Sequence, residues 1–77
     1  MTTIEAFDDV AIILAGFAPE KIVTLKAPAK MSARVEFLVN RKKDNQINEQ
    51  EKYELERYLA LDLLISLSKA RAKAMLA

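Results

Sequence analysis

An all-α fold is predicted by three observations. Apolar residues recur at spacings of three and four through most of the chain, the period of a helix face. Two polar residues followed three positions later by Glu, Thr2 with Glu5 and Asn48 with Glu51, mark helix starts. From Asn48 to Ala77 neither Pro nor Gly interrupts the sequence. The spacing predicts three helices, over about 3–15, 28–43 and 48–76, with a short extended or one-turn segment at 20–26. The 77 residues make one helical domain at most.

The first helix has Ile4, Phe7, Ala11 and Leu14 on one face, widened by Val10, Ile12 and Ile13. Acidic residues at its start suit the positive end of the helix dipole. Gly16, the only glycine, falls where a C′ residue in the left-handed conformation would end the helix at about residue 15, with Pro19 soon after. Residues 18–27 allow two readings. Pro19 can open a helical turn, and the β-branched Ile22-Val23-Thr24 can form an extended segment ending before Pro28.

The second helix carries Met31, Val35 and Leu38 as a stripe and closes with Arg41-Lys42-Lys43 at the negative end of its dipole. Asp44-Asn45-Gln46 is a turn in which Asn45 takes positive φ in place of a glycine. Asn48 then caps the last helix.

That helix would be about 42 Å long, against about 30 Å for the width of a compact chain of this size. After Ala60 its apolar arc widens into two seams. Tyr58, Leu61, Ile65, Ser68, Ala72 and Met75 follow a/d-like spacing. Leu59, Leu63, Leu67, Ala70 and Ala74 form the other. The remaining polar stripe is Asp62, Ser66, Lys69 and Lys73. Two seams imply two neighbours, one inside the chain and one in another, so the expected state is a dimer. Tyr58, Leu61, Leu64, Ile65, Ser68, Ala72 and Met75 are the expected interface.

Composition narrows the chemistry. The chain has no Cys and no His, which removes disulfides, thiolate metal sites and the commonest neutral-pH base and metal ligand. No catalytic, cofactor-binding or metal-binding residue is assigned, and the chain reads as no enzyme. Asp62, Ser66 and Lys69 share a face but read as a solvated stripe. A single glycine rules out a glycine-rich phosphate loop. Acidic residues before the first apolar run argue against a secretory signal, and no apolar run is long enough to span a bilayer. The expected location is the cytoplasm.

The net charge of +1 confines any nucleic-acid role to a local patch. Lys26, Lys30, Arg34, Arg41, Lys42 and Lys43 form one. A strand over 22–26 followed by two helices would resemble the ribbon-helix-helix fold of dimeric DNA-binding antitoxins and repressors, with Thr24 and Lys26 facing DNA. Glu49 and Glu51 sit where that fold presents a helix start to phosphate, and the ribbon offers few groups that read base edges. The cluster is better read as a solvated face and helix C-cap.

Several short patterns occur in order: Leu25-Lys26-Ala27-Pro28; Arg34-Val35 with Leu38; Glu51 with Glu54-Leu55 and Tyr58; and Lys69-Ala70-Arg71-Ala72. Over about residues 22–73 they resemble a family of small bacterial proteins, common in cyanobacteria, labelled as toxin–antitoxin system components. The resemblance implies a small helical partner of a toxin, on the antitoxin side. The family pattern has Ser or Thr after the Pro and a Gly in the polar turn. Here Ala29 and Asp44-Asn45 replace them, which weakens two caps and leaves the seams intact.

Overall fold

The computed structural model describes residues 2–77. Its four helices are α1 (Thr3–Phe17), α2 (Pro19–Ile22), α3 (Ala29–Lys43) and α4 (Glu49–Leu76), with no strand among the described residues. The all-α class and the long last helix are as the periodicity predicts. The contacts divide the chain into two compact units, Met1–Lys26 with Asp62–Ala77, and Ala27–Leu61. The continuous α4 gives its first half to one unit and its second half to the other.

Both polar starts form caps. The Glu5 N–H donates to Thr2 Oγ1 at 3.1 Å. The Glu51 N–H donates to Asn48 Oδ1 at 2.8 Å while Glu51 Oε1 accepts from the Asn48 N–H at 3.1 Å, a reciprocal capping box. Asn45 takes φ 57°, as expected of the turn without glycine. The N-cap position of α3 is Pro28, which has no side-chain group to cap with, and Ala29 is the first helical residue.

One expectation is corrected, and one of two open readings is borne out. Gly16 is helical and has no positive φ. α1 runs through it to Phe17 and stops at Ala18, which is extended at φ −158° and ψ 78°. The residue before a proline is driven out of the helical region, so Pro19 ends α1 and then opens α2. Residues 20–26, open to two readings, contain the helical turn. Val23 keeps helical angles and donates to Pro19 O at 2.9 Å, and the Leu25 N–H donates to Ile22 O at 3.0 Å. An extended strand with no partner strand leaves its backbone groups unpaired; the turn satisfies several locally.

The units have different interiors. In the first, the fully buried residues are Ala11, Ala15, Ser68 and Ala72. Small residues four apart on a helix allow close approach of a neighbouring backbone, and the Ser68 hydroxyl donates to Leu64 O at 2.7 Å. In the second, Leu38 of α3 and Leu55 of α4 form the core. Around it Arg34 donates from Nε and Nη2 to the two carboxylate oxygens of Glu54 at 2.7 and 2.9 Å. Arg41 donates to Glu51 at 3.0 Å and to Gln46 O at 2.8 Å.

Candidate interaction surface

In the unit containing α1, the inward positions are taken by Ala11 and Ala15, with Phe7, Asp8 and Leu14 half-buried. A second apolar ridge lies on another side of the same helix. Ala6, Val10, Ile13 and Phe17 are spaced 4-3-4, a repeat that keeps side chains in line along a helix. Val10 is 46% exposed, Ile13 60% and Phe17 80%. This ridge was not singled out from the sequence, because ending the helix at residue 15 removes Phe17 from it. Its signal is the 6-10-13-17 spacing, legible once Gly16 counts as helical.

The second half of α4 also has two apolar sides, and the expected interface divides between the interior and the surface. Ser68 and Ala72 are 2% and 0% exposed in the single chain, so they belong to its own core and are unavailable to a partner. Small side chains are the ones that a close helix contact selects, and that makes them interior here. Leu64, Ile65 and Tyr58 are half-buried; Leu61 and Met75 stay exposed. The other seam also keeps exposed apolar residues. Leu63 is 37% exposed, Ala70 and Ala74 are exposed and Leu67 is half-buried.

Charge follows the same division. The acids of α1 are Glu5, Asp8 and Asp9, and α1 has no Lys or Arg; residues 63–76 carry Lys69, Arg71 and Lys73 and no acid. Asp8 and Arg71 form a two-bond ion pair, with Nε donating to Oδ1 at 3.0 Å. The guanidinium holds the Asp8 carboxyl below its ordinary range, and the carboxylate raises Arg71 further. Among the described residues, Glu5, Asp9, Lys69 and Lys73 make no ion pair.

In the unit containing α3, the basic cluster is partly neutralised. Arg34 lowers the Glu54 carboxyl and is itself raised by it. Glu51 is lowered chiefly by the Asn48 N–H and then by Arg41. Phe37, exposed on α3, has the Arg34 and Arg41 guanidiniums over its ring at 5.0 and 5.6 Å. These two arginines are committed inside the unit. Thr24, Lys26, Lys30, Lys42 and Lys43 are exposed, and Thr24 Oγ1 donates to Lys21 O at 3.1 Å. No strand forms over residues 22–26; the helical turn ends at Ile22 and a turn follows at Val23 and Thr24.

A hollow of about 220 Å³ is lined by Lys42, Ile47, Lys52, Leu55, Glu56 and Leu59. That is below the usual range of small-molecule pockets, about 300–1,000 Å³. Asp62 and Ser66 are exposed and Lys69 half-buried, in line with a solvated stripe. Among the described residues no group of carboxylates could hold a metal ion, and no helix is long and apolar enough to cross a membrane.

In comparisons with family models, curated proteins and solved structures, nothing matches this chain.

Proposed function

We propose that the chain is a non-catalytic, cytoplasmic partner-binding protein that acts by helix-mediated association, as the antitoxin-like component of a toxin–antitoxin pair. The observation that carries the association is exposed apolar surface in the first unit, Val10, Ile13 and Phe17 on α1 and Leu63 and Met75 on α4. Contiguous apolar surface of this kind is stabilised when a partner covers it. The toxin side of the reading rests on the ordered patterns between Leu25 and Ala72.

Co-expression with the product of the adjacent reading frame tests it. The tagged chain is expected to retain that product through purification and to relieve its inhibition of growth. Leu63→Asp, at an exposed position that leaves the buried alanines untouched, is expected to weaken retention at least tenfold with unchanged helicity by circular dichroism. A neighbour that neither inhibits growth nor co-purifies would remove the antitoxin reading.

A further inference from the structure

We infer that the outward ridge of α1 seats a basic amphipathic helix supplied by a partner protein. That helix lays its apolar side on Ala6, Val10, Ile13 and Phe17 and its lysines or arginines beside Asp9 and Glu5. The inference rests on the partner-binding reading and gives the partner's contacting segment its chemistry.

The ridge is no part of the chain's own packing. Ala11 and Ala15 are fully buried, and at about 100° per residue the ridge lies about 150° around α1 from them. Its largest side chain, Phe17, is 80% exposed. The 4-3-4 spacing of positions 6, 10, 13 and 17 is that of a and d residues in a coiled-coil seam, which a second helix fills with side chains on the same repeat.

Charge selects the helix that fits. On the half of α1 turned away from Ala11 and Ala15 the charged residues are Glu5 and Asp9, and both are exposed. They lie on one side of the ridge, about 70–110° around from its midline. The other flank, Thr3, Leu14 and Phe7, is uncharged. α1 carries no Lys or Arg, and among the described residues neither acid forms an ion pair. Asp9 holds the g-type position beside the seam, where coiled coils place the charges that choose a partner. A docked helix with Lys or Arg on the facing flank is attracted by both acids, and one with Asp or Glu there is repelled.

A second copy is the poorer occupant. The ridge is about 16 Å long and one helix, about 10 Å, wide. That is room for a single docked helix and well below the about 800 Å² per partner of a stable protein interface. The α1 of a second copy would bring only further acids to Asp9 and Glu5. The α4 helix carries bases, but the side of it that holds Leu63, Leu67, Ala70 and Ala74 also lies about 150° around from the buried Ser68 and Ala72. Reciprocal α1-to-α4 contacts therefore cannot close within a pair of copies.

The test titrates the full chain, at low salt, into a fluorescent alanine-based helical peptide with leucines spaced 4-3-4 and lysines on both flanks of them. A twin peptide has glutamates in place of the lysines, and anisotropy reads the binding. The unaltered chain is expected to bind the lysine peptide at least tenfold more tightly than its twin. E5K/D9K is expected to reverse that preference, and the milder E5Q/D9N to level the two affinities. Phe17→Asp is expected to lose both peptides with helicity unchanged by circular dichroism. Equal binding of the two peptides, binding of neither, or a preference that both charge variants leave unchanged would overturn the inference. So would a dimer of the unaltered chain, seen by sedimentation, that Phe17→Asp dissociates, because the ridge would then belong to a second copy. Retention of the neighbouring gene product is a separate measurement. If it persists while the peptides are not told apart, the partner-binding reading stands and only the chemistry assigned to the ridge falls. If it fails while the lysine peptide is preferred, the antitoxin reading falls and the assigned chemistry stands.

Discussion

In the unit formed by residues 27–61 the interior is Leu38 and Leu55, edged by two arginine–glutamate pairs; in the unit that joins residues up to 26 with 62–77 it is Ala11, Ala15, Ser68 and Ala72. A buried leucine contributes about 1.5–3 kcal/mol by removal from water, and an alanine methyl far less. The first kind of interior is held by the area its side chains bury. The second gains from close approach of helices, and its larger apolar side chains, Val10, Ile13, Phe17 and Leu63, remain outside. A unit that spends its small residues inside and its large ones outside has surface left for a partner. The leucine-cored unit keeps two of its arginines for itself, so its apparent basic patch is smaller in three dimensions than in sequence.

The contrast can be broken most strongly at Leu38. Leu38→Ala is expected to destabilise the residue 27–61 unit by about 2–5 kcal/mol. Amide hydrogen exchange should quicken in α3 and the first half of α4 more than in α1. Equal acceleration in α1 would show that the two units open together. A smaller effect is expected from overfilling the other interior. Ala15→Leu should cost about 1–3 kcal/mol, read as a lowered melting temperature with faster exchange in α1, whereas Ile12→Leu on its exposed side should change little.

The smallest effect is expected from acid. Asp8, Glu51 and Glu54 all have carboxyls lowered in the folded chain. A lowered folded value means that the unfolded chain takes up protons first, so the stability these groups add is present above the ordinary carboxylate value of about 4 and is lost as pH falls through the folded values. The melting temperature should therefore be flat from pH 7 to 5 and decline below pH 4. Glu54→Gln should shrink the decline, and a profile unchanged by it would remove Glu54 from the account.

Much of the fold was legible because its signals are local. Asn48 and Glu51 satisfy each other within one helical turn, and Asn45 supplies positive φ without help from a distant residue. The end of α1 was misread because Gly16 and Pro19 both signal a stop, and nothing within the sequence ranks them. Glycine tolerates a helical conformation at modest cost, while the residue before proline is excluded from it by a steric clash. That two-residue extension brings Phe17 into line with Val10 and Ile13.

The sequence by itself determined that this chain is helical, where three of its helices start, and that the second half of α4 is apolar on two sides. Only the tertiary structure decided which side is inside. Helical periodicity reports that a face is apolar, but Ser68-Ala72 and Leu63-Leu67 both satisfy it. The choice depends on what packs opposite, and in this unit the close contact takes the small residues. It also decided which charges are already spent, because the Arg34–Glu54 and Asp8–Arg71 pairs join residues far apart in the chain. Such pairs form only when packing brings their helices together, a distance-dependent energy that no local pattern encodes.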